Sequence, residues 1–320
     1  MLSVGIDVGG TKVAGALVNE DGVIIRSRVV PTPAQDAQAL EDAIVELSLD
    51  LSAGESVAGI GIAAAGFIDA AQSTVYYAPN INWRNEPLRA KVEARTNLPV
   101  VVDNDANAAG WAEYRYGAGK MFTHMTMLTI GTGVGGAIVT DGRLFRGGFG
   151  AGAEIGHVVV QADGLPCGCG QNGCIEQYGS GRALLRFANE QANDPNNGAA
   201  LAAARGDDGQ VSADALKELL VALDPGALAA LATLGDWIGR ACASLAAVLD
   251  PQVFVFGGGV AVAGEHLLEP IRRSYRKHMP AAGFHPEAEF RVAQMLNDAG
   301  VIGAADLVRI QSDATRALGR

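Results

Sequence analysis

Positive charge is scarce in this chain. Its 24 lysines and arginines stand against 35 aspartates and glutamates, for a net charge of −11 over 320 residues. That balance argues against general nucleic-acid binding and against an anionic membrane surface, and it disfavours a long polyphosphate as phosphate donor. Long apolar runs are also missing. The quietest stretch, around Leu228 to Leu249, is broken by Asp236 and Arg240 and has amphipathic helical spacing, so no segment approaches the ~20 apolar residues of a membrane span. Asp7 and Lys12 interrupt the apolar start, so no secretory signal is expected there, and a cytoplasmic location is the expectation. Cysteine is sparse: there are four, and three of them fall between Cys167 and Cys174. In a reducing compartment such a cluster points to a metal site rather than a disulfide framework. The fourth, Cys242, lies on the apolar side of an expected helix and reads as a core residue.

What is present describes a globular α/β chain. Hydrophobic residues make up 49% and charged residues 18%, and the length allows two domains with sizeable cores. The 42 glycines exceed the usual ~7% share and imply tight turns and close backbone approach to a ligand. Strands are predicted over 2–7, 12–19 and 23–30, the last two joined by the turn pair Asp21-Gly22. A helix follows over 37–51, spaced by Leu40, Ile44, Leu47 and Leu51, then strands over 57–64 and 99–102 and a helix over 106–116. The pattern then restarts: strand 126–130, Gly131-Thr132-Gly133, strand 134–140 and a second Asp-Gly turn at 141–142. Two glycine loops of matching design imply two related halves. Asp224-Pro225 opens a long helix, Val253 to Phe256 forms a strand, and a last helix covers 304–318. The expected division is residues 1–104 plus 304–320 as one domain and 105–303 as the other, with mixed sheets.

Several residues carry chemistry. Gly9 and Gly10 let backbone amides approach phosphate oxygens, Thr11 adds a hydroxyl, Lys12 a point charge, and Asp7 could orient Mg2+ through water. Gly131, Thr132 and Gly133 form a second loop of this kind. Gly257, Gly258 and Gly259 follow a third strand, where backbone can lie against a nucleotide or meet phosphate at a helix start. Asp105, beside Asn104, is the candidate base for phosphoryl transfer to an alcohol; Asp103, Asn104 and Asp105 equally suit a helix cap, and both readings stand. Cys167, Cys169 and Cys174, with glycines at 168, 170 and 173, supply three thiolates, and His157 is the preferred fourth ligand over His124, His266, His278 and His285. Three sulfurs and one imidazole suit tetrahedral Zn2+ with no open position, hence a structural metal that holds Glu176 and the His157 edge in place. Glu154 is the other carboxylate of this stretch.

On these residues the chain resembles the ROK family (repressors, open reading frames and kinases), within the sugar kinase–actin–chaperone ATPase fold. The resemblance covers essentially the whole chain. It rests on Asp7 to Lys12, Asn104 to Ala109, Glu154-Ile155-Gly156-His157 and the Cys-x-Cys-Gly-x-x-Gly-Cys-x-Glu run ending at Glu176, while Trp111 to Gly119 is similar to actinobacterial-type ATP-dependent glucokinases. It implies a two-domain actin-like ATPase (ribonuclease H-like) fold with an interdomain cleft, ATP with Mg2+, a structural zinc, a sugar substrate, and a homodimer or dimer of dimers. It further implies that Asp105 deprotonates the sugar 6-hydroxyl and that Asn104 and Asp105 hold the 3- and 4-hydroxyl region. Glu154 and His157 would meet the 2-hydroxyl, Glu176 with His157 the anomeric hydroxyl, and Gly66 the 3-hydroxyl through backbone, with Asn80 lining the pocket. Thr11, Lys12, Thr132 and Gly133 match the family's phosphate positions and Gly257 to Gly259 its adenosine side. Many members have a proline where this chain has Ala65, a departure that bears on sugar selectivity. Phosphorylation of glucose at the 6-hydroxyl is the leading expectation, an N-acetylglucosamine or N-acetylmannosamine kinase the alternative. A sugar-responsive regulator would carry a DNA-binding segment ahead of the first glycine loop, which here starts at residue 7.

Overall fold

A computed structural model describes residues 1–318. The chain opens with β1 (Leu2–Val8), β2 (Lys12–Val18) and β3 (Ile24–Pro31), then α1 (Ala37–Ser52) and β4 (Val57–Ala64). Three short strands, β5 (Phe67–Ile68), β6 (Val75–Tyr77) and β7 (Arg84–Glu86), precede α2 (Leu88–Thr96), β8 (Val100–Asn104) and α3 (Asp105–Tyr116). After β9 (Met125–Ile130), β10 (Val134–Thr140) and β11 (Arg143–Leu144) come α4 (Glu176–Gly179), α5 (Gly181–Gln191), α6 (Ala199–Ala203), α7 (Ala213–Val221) and α8 (Pro225–Leu249). The chain ends with β12 (Val253–Gly257), α9 (Glu265–His278), β13 (Glu289–Val292) and α10 (Ala299–Leu318).

Two compact units emerge. One comprises residues 1–123, 137–153 and 294–320, the other 124–136 and 154–293. In the first, the sheet order is β3-β2-β1-β4-β8, with β1–β2 and β2–β3 antiparallel and β1–β4 and β4–β8 parallel. Register sets where the loops leave the sheet. Val8 pairs with Ala64, and Ala64 with Asn104, so the three parallel strands end level and release their following loops from one edge. The open edge is β3, whose side chains are mostly exposed. Helix α1 covers one face through Leu40, Ile44, Leu47 and Leu51, all buried. Asp36 starts it by accepting from the amides of Gln38 and Ala39, both at 3.0 Å, a cap of about 1 kcal/mol.

Helix α10 covers the opposite face of the sheet. It lies so close to β1 and β4 that a side chain at Gly5 or Gly61 would run into the carbonyls of Val301 and Ala304. Ser3 Oγ donates to Ala305 O at 2.7 Å. Buried Asp306 ties α10 to α3, accepting from Trp111 Nε1 (2.8 Å), Arg115 Nε (3.0 Å), Tyr116 OH (2.5 Å) and Arg309 Nη2 (2.7 Å). Sharing this carboxylate, and burial above all, pushes the Tyr116 phenol up to about 12. The helix begins at Ala299 rather than at the expected 304, and its Gly300 and Gly303 pack against Asp7 and the Ala108 carbonyl, where a side chain would clash.

In the second sheet, of order β11-β10-β9-β12-β13, β9 and β12 are parallel, as are β12 and β13. Gly257 pairs with Thr129, so the turns after β9 and β12 also leave one edge together. Helix α8 starts at Asp224, whose side chain caps Ala227 N at 2.9 Å, with Pro225 in the first turn. Of its expected apolar stripe, Leu231, Ile238 and Cys242 are buried, while Leu228, Leu245 and Leu249 near its ends are half-buried. No single helix among the described residues is long and apolar enough to cross a membrane.

Candidate active site

The edge of the first sheet gathers Asp7, the turn after it, Gly66, Asn80, Asn104 and Asp105. Gly9 N donates to Lys12 O at 3.0 Å, closing the turn, and Thr32 clamps it by donating Oγ1 to Gly9 O at 2.7 Å and its amide to Thr11 O at 3.1 Å. Gly10, Thr11 and Lys12 are exposed. Asn80 lies beside Gly10, its Cβ 3.5 Å from where a side chain there would start. Asp7 faces Gly300, where even a methyl group would sit 2.6 Å from Oδ2. Enclosure by such neighbours lifts the Asp7 carboxyl to about 6; the nearby Asp105 charge adds to the rise and Lys12 opposes it.

Asn104 is the cap: its Oδ1 accepts from Asn107 N at 3.1 Å and its Nδ2 donates to Gly66 O at 3.1 Å. Asp105 is the first residue of α3, accepts its neighbour Ala106 N at 2.9 Å, and has its carboxyl raised, mainly by burial, against the lowering effect of hydrogen bonds from Ala106 and Asn104. Behind both stands Asp103, 3% exposed. It accepts from Arg146 Nε (2.8 Å) and Nη2 (2.6 Å), Gln72 Nε2 (2.9 Å), Asn107 Nδ2 (3.1 Å) and Asn104 N (2.9 Å). Sequence reading treated Asp103 only as a possible cap and missed Arg146. The run Asp103-Asn104-Asp105 is the available signal for the first; a lone arginine far along the chain gives none for the second.

The second unit holds the other candidates. Gly131 N donates to Gly133 O at 3.0 Å, and Gly181 N donates to Gly131 O at 2.8 Å, which seats the start of α5 on the turn. Val134 N donates to Glu176 Oε2 at 3.3 Å. Arg182, also missed from sequence, donates Nε to Thr132 O at 3.0 Å and Nη2 to Glu176 Oε1 at 3.4 Å. After β12, Gly258 has φ +84° and packs onto Ile130 O, a position only glycine fits. The helical segment expected after it opens as a turn of 3₁₀ helix over Gly259–Ala263, and α9 follows from Glu265. Glu154 lies just before a second such turn, Ile155–His157, whose His157 N donates to Glu154 O at 3.1 Å.

Cys167, Cys169, Cys174 and His157 converge, all four ligand atoms lying within 4.8 Å of one another. Cys167 Sγ is 3.7 Å from His157 Nδ1, and Cys169 Sγ is 3.6 Å from Cys174 Sγ. Zinc–sulfur bonds of about 2.3 Å give tetrahedral sulfur–sulfur edges of about 3.8 Å, so the donor set fits zinc by size as well as by chemistry. Burial, then the neighbouring thiols, lift Cys174 to about 12, while a backbone hydrogen bond from Gln171 lowers Cys169. Thiols this crowded ionise together only around a cation. His157 turns Nδ1 to the sulfurs, which leaves Nε2 for another partner.

The ROK family model matches residues 3–311. The chain belongs to the ROK family. A glucokinase of Streptomyces coelicolor is 45% identical over 311 residues, 96% of this chain and 98% of that protein. An Escherichia coli N-acetylmannosamine kinase is 35% identical over 311 residues, 97% of this chain and 99% of that protein. Among solved structures, a ROK family glucokinase from Streptomyces griseus in complex with glucose and AMPPNP has a TM-score of 0.83 at 45% identity, covering 97% of this chain and 100% of that one. This ROK chain accordingly has the actin-like ATPase fold of its sugar-kinase neighbours, with mixed sheets.

Proposed function

We propose that this chain is a hexokinase-type phosphotransferase that uses ATP to phosphorylate glucose at the 6-hydroxyl. The observation that carries the reading is 45% identity, over nearly the whole of both chains, to a glucokinase and to a glucokinase structure with glucose and a nucleotide analogue. The residues on both sheet edges suit that chemistry.

In this reading Asp105 takes the proton of the 6-hydroxyl. A carboxyl raised by burial is a better base than an ordinary aspartate. Asn104, fixed by its bonds to Asn107 and Gly66, presents its remaining hydrogen-bonding capacity to the 3- and 4-hydroxyls, with Gly66 and Asn80 beside it. Glu154 and His157 take the 2-hydroxyl, and Glu176 with His157 Nε2 takes the anomeric hydroxyl. Gly9, Gly10, Thr11 and Lys12, with Gly131, Thr132 and Gly133, hold phosphate; Gly257, Gly258 and Gly259 take the adenosine side. Magnesium bound with the nucleotide would neutralise charge on the transferring phosphoryl group, and Asp7 is the residue assigned to orient it. Structural zinc on His157, Cys167, Cys169 and Cys174 would fix the start of α4, and with it Glu176.

Full-length N-acetylmannosamine kinases at 35% identity keep an N-acetylated sugar as the second reading. A panel of glucose, mannose, fructose, N-acetylglucosamine and N-acetylmannosamine with ATP, followed by coupled ADP release, separates the two. The highest kcat/KM is expected for glucose; a maximum for an acetylated sugar overturns the assignment.

A further inference from the structure

Arg182 belongs to none of the motifs that carry the proposed function, yet it bridges two of their members. Its guanidinium donates Nε to the carbonyl of Thr132 and Nη2 to Oε1 of Glu176. The other carboxylate oxygen, Oε2, accepts from Val134 N. A side chain at Gly133 would run into that same oxygen. The carboxylate of Glu176 is therefore held from both ends by the turn 132–134, directly on one side and through Arg182 on the other. The turn in turn is held by the first residue of α5, Gly181, whose amide donates to Gly131 O. Ser180 caps this helix by accepting from Ala183 N at 3.3 Å. Arg182 thus projects from a fixed helix start and is not a free surface charge.

We infer that Arg182 is a positioning residue that couples sugar binding to nucleotide binding, by tying the sugar-reading carboxylate of Glu176 to the phosphate-holding turn at Thr132. The inference rests on the proposed roles of Glu176 and of the turn. A carboxylate has about four lone-pair positions, and the bonds from Val134 and Arg182 leave capacity for a sugar hydroxyl. A hydroxyl bound there narrows the positions the carboxylate samples. Through the guanidinium fork it also narrows those of the Thr132 carbonyl, so a nucleotide meets a turn already ordered. Thermodynamic linkage makes the effect mutual: whatever factor the sugar contributes to nucleotide affinity, the nucleotide contributes to sugar affinity. The arginine side chain is 62% exposed, so its removal breaks the bridge without opening a cavity.

The test is calorimetric titration of the full chain with AMPPNP, with and without saturating glucose, and with glucose alone, in the parent, Arg182→Ala and Arg182→Lys. The parent is expected to bind AMPPNP about 5- to 150-fold more tightly with glucose, the usual span of such coupling. Arg182→Ala is expected to bring that ratio to within about twofold of one while glucose alone binds within about threefold of the parent. Arg182→Lys, with a single donor group in place of the fork, is expected to fall between. A parent-like ratio in Arg182→Ala overturns the inference. So does a loss of AMPPNP affinity that is equal with and without glucose, which makes Arg182 a simple phosphate contact, and so does a parent ratio of one. A parent that binds AMPPNP but no glucose overturns the proposed sugar, a result visible before any variant is made.

Discussion

The turn after β1 and the turn after β9 close alike: Gly9 N donates to Lys12 O, and Gly131 N to Gly133 O, each at 3.0 Å. Each leaves the end of a strand in the parallel part of its sheet. Their charges come from different places. The first turn carries its own, with Asp7 before it and Lys12 within it. The second has none in its sequence and receives them from Glu176 and Arg182, some fifty residues on. A turn with built-in charge is set once its strands pair. A turn with borrowed charge depends on whatever fixes the lender, which in the proposed reading is the cysteine–histidine cluster just ahead of α4. Replacing residues at the first edge should therefore change chemistry and local electrostatics, whereas disturbing the second edge should change how well its parts are held.

The sharpest contrast comes from Asp105→Asn. It is expected to cut kcat by about 10²- to 10⁴-fold, the usual worth of a positioned base, with glucose affinity within about threefold of the parent. Coupled ADP release and glucose titration measure the two, and a variant that keeps most of its turnover removes Asp105 as the base. In the parent, kcat/KM is expected to fall on the acid side at a pH above the ordinary aspartate range, because the base must be ionised and burial raises its pKa.

At the second edge, elemental analysis of chelator-free protein should find about one zinc per chain. Stripping the metal is expected to cost several kcal/mol of stability and to raise the KM for glucose more than it lowers kcat. A metal-free protein with unchanged melting temperature and KM would show that Glu176 needs no such anchor.

Asp7→Asn returns to the first turn. The folded protein holds the Asp7 proton up to about pH 6, and the unfolded chain releases it near 3.8. Stability therefore declines as pH rises through that window and stays reduced above it, by at most about 3 kcal/mol. The variant is expected to unfold at higher temperature than the parent at pH 8, with the gap nearly closed at pH 4, while activity falls. Thermal unfolding at the two pH values reads this directly; an equal gap at both rejects the ionisation argument.

The smallest effect belongs to Gly258→Ala. Its left-handed backbone against Ile130 O should cost about 1 to 3 kcal/mol, seen as a lowered urea midpoint, with nucleotide KM raised. A variant as stable as the parent would mean the backbone there relaxes freely.

The same contrast governs what could be read in the amino-acid order. Strong periods and local chemistry were plain: the strands flanking both turns, the amphipathic α1 and α8, the cysteine run and the 103–105 triplet. The small sheet β5–β7 escaped because strands of two or three residues have no period to detect, and β6 and β7 are partly exposed. Helices α5 and α7 drew no reading, although Ala183, Leu184, Phe187 and Ala188 of α5 fall on one face at helical spacing; α6 spans only Ala199–Ala203, in a stretch too poor in large apolar groups to show a period. Asp103 looked like a cap because its partners Gln72 and Arg146 lie 31 and 43 residues away. Arg182 stood out in no motif for the same reason, its partner Thr132 lying 50 residues away. Long-range polar contacts leave no local trace, since any exposed arginine satisfies its own segment equally well.

The docking of α10 on β1 and β4 has a consequence for how the protein is made. Ser3 and Ala305, which share a hydrogen bond, are separated by 302 positions. At about 5 to 20 residues per second on the ribosome, the first strands wait roughly 15 to 60 s for the helix that covers them. Through that interval the glycine-lined face of the nascent sheet is bare, and the face that α10 will cover faces water first.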